Sequence, residues 1–341
     1  MANDILEFYV NEFRSGRDVS PGDVEALFAA LISEQSEAPL ADLLTAWNEK
    51  GTTEDELFGF ASLMRKRMKR IESTHETFVD IVGTGGSKTK TFNVSTAAAF
   101  VIAGSELPVA KHGNRAATSK SGSSDVLSRV GIDVDIDPEI TERHLRDHGI
   151  CFMFAPRFHS LSQTLAKVRL SLGRPSIFNN LGPLCNPASV PHQVIGVWHK
   201  DMIETTANVI ARLGTERSWV VHGENGLDEI ALSGTTHVAE VKGGQVNRFS
   251  ITASDFGISE VGGGIPANCA AEESSALITE IIDNKRIGHS AEKLVLINAA
   301  AAIYVAGQAN ELAHAFKIAE TSVRSGKALE KLNNLRSEST K

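Results

Sequence analysis

Cysteine is scarce, and the three present, Cys151, Cys185 and Cys269, lie far apart without a C-x-x-C pair. That excludes a zinc cluster or disulfide framework built on paired cysteines and fits a reducing compartment. An excess of positive charge is also missing: 34 Lys and Arg against 42 Asp and Glu leave a net −8. The surface as a whole is therefore unsuited to nucleic acid or an anionic membrane, and any phosphate site must be local. The longest apolar stretch, Leu294 to Gly307, is broken by Asn298 and too short to span a bilayer, and Met1 to Val10 carries Asp4 and Glu7 where a leader would be basic and then apolar. A soluble, cytoplasmic protein is the expectation. No G-x-x-x-x-G-K-[ST], G-x-G-x-x-G, G-x-S-x-G or H-E-x-x-H occurs, so the common nucleotide loops, the serine-hydrolase elbow and a zinc-hydrolase helix are unsupported. There is no internal repeat and no low-complexity segment.

The 341 residues correspond to about two domains. The first seventy or so read as helices. Ser20-Pro21-Gly22-Asp23 looks like a helix start, with Val24, Leu27, Phe28, Leu31 and Ile32 on one face. Leu40, Leu43, Leu44 and Trp47 repeat the spacing up to Gly51, and a third helix starts near Thr53. Its basic end, Arg65 to Arg70, invites a nucleic-acid reading, but cations at a helix C-terminus complement its dipole anyway, and that is the reading adopted. From Thr77 the texture alternates. Strands are expected at Phe78–Val82, Pro108–Ala110, Ile150–Phe154, Val194–Trp198 and Trp219–Val221, with helices at Ser95–Gly104, through Asp125–Val130, from Asp137 to Gly149 and over Asp201–Leu213. Such alternation predicts an α/β fold with a mainly parallel central sheet flanked by helices. Lys242-Gly243-Gly244-Gln245 predicts a hairpin, and the chain from Ala270 onward reads as helical.

Three segments carry chemistry. Asp80-Ile81-Val82-Gly83-Thr84-Gly85-Gly86-Ser87, followed by Thr91-Phe92-Asn93-Val94-Ser95-Thr96, sets a glycine turn between a strand and a helix start, where backbone N–H groups can converge on an anion. Taken alone it is also a plain tight turn. Lys111-His112-Gly113-Asn114-Arg115 and Thr118 to Asp125 bring cations and hydroxyls together after the next strand, a second anion cradle. Asp228-Glu229, in a Gly-containing loop, suits Mg²⁺ shared with a diphosphate, although an acidic pair by itself is commonly just solvated. Nothing in the pattern singles out Arg169.

These motifs, together with Phe178-Asn179-Asn180-Leu181-Gly182-Pro183-Leu184-Cys185-Asn186-Pro187 and Gly326-Lys327-Ala328-Leu329, closely resemble those of the anthranilate phosphoribosyltransferases over most of the chain. The resemblance implies a small all-helical domain, residues 1–73 with a helical insert around 163–192, beside a larger α/β domain of residues 74–162 and 193–341. It implies transfer of a phosphoribosyl group from phosphoribosyl pyrophosphate (PRPP) to the amine of anthranilate, two Mg²⁺ ions, and a homodimer formed through the helical domain. By position, Gly83, Gly86, Ser87, Thr91, Asn93, Ser95, Thr96, Lys111, Asn114, Ser119 and Ser123 would hold PRPP. Gly83, His112, Asn114, His159 and Arg169 would face anthranilate, and Ser95, Asp228 and Glu229 would hold the metal. The chain departs from the family at Ser87-Lys88, where Asp-Gly is usual, at Lys90, at Thr118 and over Ser160-Leu161-Ser162-Gln163. A pyrimidine-nucleoside phosphorylase, which shares the fold type, is the alternative activity; Asp228-Glu229 and Asn114 tell against it. A non-catalytic nucleic-acid-binding relative is the alternative from another class.

Overall fold

The computed structural model describes residues 2–87, 89–115 and 121–339. Four helices open the chain: α1 (Ala2–Arg14), α2 (Val24–Ser33), α3 (Glu37–Lys50) and α4 (Glu54–Arg67). Their apolar stripes meet in one buried cluster, with Leu6, Phe13, Leu27, Leu31, Leu43, Trp47, Leu57 and Phe60 all lost to solvent. The helix expected to start near Thr53 is α4, and Thr53 caps it: the Glu56 amide donates to its hydroxyl at 3.3 Å, and Glu56 Oε2 accepts the Thr53 amide at 2.9 Å. Ser20 does not cap α2. The Asp23 amide closes a turn on Ser20 O at 3.0 Å, the Ser20 hydroxyl donates to Asp23 at 2.7 Å, and the helix begins only at Val24.

The alternating region follows as β1 (Val79–Gly83), α5 (Val94–Gly104), β2 (Val109–Gly113), α6 (Ser123–Arg129), α7 (Pro138–His148) and β3 (Ile150–Phe154). Three helices, α8 (Ala155–Phe158), α9 (Gln163–Ser171) and α10 (Ile177–Leu184), then lead away from the sheet. Leu165, Val168, Ile177, Phe178 and Leu181 of α9 and α10 join the cluster of the first four helices. The chain returns with β4 (His192–Gly196), α11 (Met202–Leu213) and β5 (Arg217–Gly223), turns back in the hairpin β6 (Thr236–Lys242) and β7 (Gln245–Ile251), and passes a 3₁₀ turn (Ala253–Phe256). It ends in α12 (Ala271–Ile282), α13 (Ser290–Val305), α14 (Leu312–Arg324) and α15 (Lys327–Glu338). The hairpin turn has φ +57° at Gly243 and +77° at Gly244, the left-handed pair that matches strand twist. In the basic run, Arg65 donates to Leu184 O at 2.6 Å and Leu213 O at 3.3 Å, joining the C-terminal ends of α10 and α11.

Strand order is β3-β2-β1-β4-β5-β6-β7, parallel from β3 through β5 and antiparallel beyond. Side chains alternate between two cores. Val194, Trp219 and Val221 face α5 and α13, whereas Ile195 and Val220 face α11 and the helical layer. Three strands reach further than their apolar residues suggested, β5 simply by two residues at each end and β2 and β4 by polar residues. Lys111 and His112 belong to β2 itself, and β4 starts at His192 rather than Val194. Both extensions bury polar side chains that find partners, Lys111 on Ile81 O and Gln193 on Pro183 O at 3.1 Å, so hydrophobic pattern alone misses them. Chain order reverses at β1, between β2 and β4, and in open α/β sheets a crevice forms at the carboxyl ends of the strands beside such a switch point.

Candidate active site

A cavity of about 500 Å³ occupies that position. Its wall includes Gly83, Thr91, Asn93, Ser95, Thr96, Lys111, His112, Asn114, Ser123, His159, Arg169, Asp228 and Glu229, which come from β1, α5, β2, α6, α9 and the segments after β1, β2, α8 and β5. Two residues expected there are elsewhere. Gly86 packs against Trp198 and Pro175, where a Cβ would lie 2.6 Å and 2.9 Å from those side chains. Ser87 is buried, with its Oγ 2.7 Å from Thr89 O and 2.5 Å from Gly226 O, so it pins the loop. Ser119 lies outside the described residues.

The acid pair is set by close backbone contact. Gly83 and Gly196 face each other across β1 and β4, and the chain of Asp228 rests on both. A Cβ at Gly196 would sit 1.6 Å from Asp228 O, and one at Gly83 would sit 2.8 Å from Asp228 Oδ2, so neither position has room for a side chain. Burial pushes the Asp228 carboxyl above its ordinary value, with Lys90 opposing. Glu229 is raised well above its ordinary value, by burial first and the neighbouring Asp228 second, although Lys111 and the Thr91 hydroxyl pull it down. Its Oε2 has no partner among the described residues. Two adjacent carboxylates short of positive charge are what a hard divalent cation relieves. No third His, Cys, Asp or Glu joins them among the described residues, so such an ion would complete its shell with water and phosphate oxygens.

The glycine loop works differently from a bare amide cradle. The Thr84 amide donates to Gly196 O at 2.9 Å, extending the β1–β4 ladder, and the Gly85 amide donates to Asp228 Oδ2 at 2.9 Å, holding the acid loop in place. Groups left to meet an anion come from the helix side. Thr96 Oγ1 is buried without a partner among the described residues, and Asn93 Oδ1 is fixed by the hydroxyls of Ser274 at 2.8 Å and Ser121 at 3.0 Å. Lys111 reaches the cavity from β2, donating to Ile81 O and to Ser95 Oγ at 3.2 Å. Behind it Asp80 is fully buried, its pKa pushed up to about 6 by desolvation, against which Lys111 and the Asn186 amide at 2.8 Å act. Asp80 and Asn186 lie inside motifs of the sequence but receive no role there, and Ser274 lies in none, because each acts on a residue far away in the chain.

Arg169 and two histidines stand in the same cavity. The Arg169 guanidinium lies over the Phe178 ring, 5.0 Å from its centroid. Burial lowers it to about 10, no acid opposes the shift, and Nε has no partner among the described residues. An uncompensated, desolvated guanidinium calls for a carboxylate, which it can bind with a planar fork. His112 Nδ1 donates to Gly182 O at 3.0 Å, and its Nε2 lies 3.2 Å from His159 Nε2. Burial brings His112 down to about 3 and His159 to about 4, so both rings are neutral. Because both folded values lie below 6.5, this pair's contribution to stability is intact above pH 6.5 and lost as pH falls toward 4. Between pH 6.5 and 5 the loss is about 2 kcal/mol per histidine. Urea midpoints at pH 7 and pH 5 are expected to differ less in a His112→Gln variant than in the parent, and equal differences would remove this account.

A helical bundle beside a switch-point cavity that joins an acid pair to cations defines a two-domain glycosyl transferase. The family description "Glycosyl transferase family, a/b domain" matches residues 75–329, and its "helical bundle domain" counterpart matches residues 9–68. Within that class, the chain belongs to the anthranilate phosphoribosyltransferase family. It is 41% identical to an anthranilate phosphoribosyltransferase of Pelotomaculum thermopropionicum, over 94% of this chain and 93% of the relative. The crystal structure of the Thermus thermophilus enzyme superposes with a TM-score of 0.87 at 32% identity, covering 98% of this chain and 99% of that one. The Saccharomyces cerevisiae enzyme in complex with PRPP and Mg gives 0.87 at 26% identity, covering 99% and 98%.

Proposed function

We infer that the chain transfers the phosphoribosyl group of PRPP to the amine of anthranilate, releasing pyrophosphate, a step of tryptophan biosynthesis. One observation carries the reading: a single cavity holds both a carboxylate pair in need of a cation and a guanidinium in need of a carboxylate. The first fits a metal-bound diphosphate and the second fits anthranilate. A pyrimidine nucleoside carries no carboxylate for Arg169, which disfavours the phosphorylase alternative.

In this reading Thr96, Asn93, Lys111, Ser123 and Asn114 hold the donor, joined by Gly83, whose lack of a side chain admits it. Ser95, Asp228 and Glu229 hold Mg²⁺, taken as two ions. The bound metal would neutralise charge on the departing pyrophosphate. As the C–O bond to pyrophosphate breaks and the C–N bond forms, positive charge spreads over the ribose ring as in glycoside cleavage. Arg169 orients anthranilate by its carboxylate and so fixes where the amine points, and orientation of an uncharged nucleophile is a large share of such a rate. The neutral His112–His159 pair and Phe178 line the acceptor's place without placing a competing charge there. Residues 1–73 with 163–192 would form the helical domain. A homodimer through that domain is supported by Phe8 of α1, a large apolar side chain 55% exposed. Among the described residues no helix is long and apolar enough to cross a membrane, and a cytoplasmic setting suits the substrates.

Anthranilate is fluorescent, so the assay is direct. Its signal is expected to fall on adding PRPP with Mg²⁺ and to persist when either is withheld. Phosphate-dependent release of uracil or thymine instead would overturn the reading.

A further inference from the structure

Lys90 stands on the cavity wall, between the glycine loop and α5. Its ammonium donates to Gly85 O at 2.6 Å, and the amide of that same glycine donates to Asp228 Oδ2 at 2.9 Å. The loop beneath is tied down on three sides. The Thr89 hydroxyl donates to Asn225 O at 2.9 Å, Ser87 Oγ reaches Gly226 O at 2.5 Å, and Lys90 O accepts the Asn268 amide at 3.0 Å. A side chain that composition alone would leave in solvent is thereby half-buried beside the acid pair. Burial lowers its pKa, and the charges of Asp228 and Glu229 oppose that shift.

The cavity's other lysine is already engaged. Lys111 is fully buried, donates to Ile81 O and Ser95 Oγ, and shares its charge with Asp80. Lys90 makes one donated bond among the described residues, and an ammonium carries three hydrogens. Two remain for an anion in the cavity.

We propose that Lys90 is a fixed cation for the diphosphate of the donor, supplying charge compensation that would otherwise fall wholly on divalent ions at Asp228 and Glu229. The proposal rests on the donor-site reading above. It makes the grip of this chain on a diphosphate less dependent on metal than a neutral side chain at this position would allow.

Calorimetric titration of inorganic pyrophosphate into the full-length protein tests it, in EDTA and again in millimolar Mg²⁺, for the parent, Lys90→Gln and Lys90→Arg. The parent is expected to bind under both conditions. Lys90→Gln is expected to bind about tenfold more weakly in EDTA, the size of one lost charge-assisted hydrogen bond, and to change by less than about threefold in Mg²⁺. Lys90→Arg recovers most of the loss. Binding by the parent only in Mg²⁺, an equal loss in both conditions, or no recovery by arginine overturns the role of Lys90 and leaves the donor site standing. A parent that binds pyrophosphate in neither condition overturns the donor-site reading itself.

Discussion

Replacing Asp228 by Asn together with Glu229 by Gln is expected to lower kcat by about 10³-fold or more at every anthranilate concentration, since losing even one preorganised electrostatic contributor costs about 10²–10³. The argument begins with charge. Burial raises both carboxyls, and Glu229 is raised further by its like-charged neighbour. Glu229 Oε2 has no partner among the described residues to offset this. A pair so placed weakens the metal-free fold and persists only if something positive joins it during turnover. The amide variant should therefore melt at the same temperature as the metal-free parent or above it, even as activity disappears. Activity near that of the parent would remove the metal role. A large fall in melting temperature would mean that the pair supports the fold.

Arg169→Ala should raise KM for anthranilate about 10²-fold, the upper range for hydrogen bonds to a charged group, while KM for PRPP moves by no more than a few-fold. Lysine at this position should recover little, because a point ammonium cannot reproduce the two-pronged fork or the stacking on Phe178. Steady-state titration of each substrate separates the two effects. Equal changes in both constants would contradict a carboxylate receptor and point to general disturbance of the cavity. No acid among the described residues neutralises Arg169, so its removal breaks no ion pair among them that could confuse the result.

The fold was legible where one element carries its own signal. The Thr53 cap, the Gly149 stop and the Gly243-Gly244 turn each act within a few residues, and each reads directly from the chain. One wall of the cavity was legible for a related reason, since Asn93, Ser95 and Thr96 open one helix and Lys111 follows on the adjacent strand. What escaped depends on pairs distant in sequence: Asp80 with Asn186, His112 with His159, Lys90 with Asn268, Asn93 with Ser274. The glycine-loop amides were misjudged for the same reason. Whether an N–H faces an anion or the chain's own carboxylate depends on where the loop after β5 lands, and no local pattern encodes that.

The two halves of the cavity are built from different material. At Gly196 the wall is main chain resting on main chain, and nothing there can be enlarged without moving a strand end, while at Gly83 the strand end meets the Asp228 carboxylate. Around Arg169 the wall is side chain: Leu161, Ala166 and Phe178, carried by α9, α10 and the segment before them. Descendants of this protein could therefore drift toward new aromatic amines through single replacements, whereas their appetite for an activated sugar diphosphate is inherited as architecture.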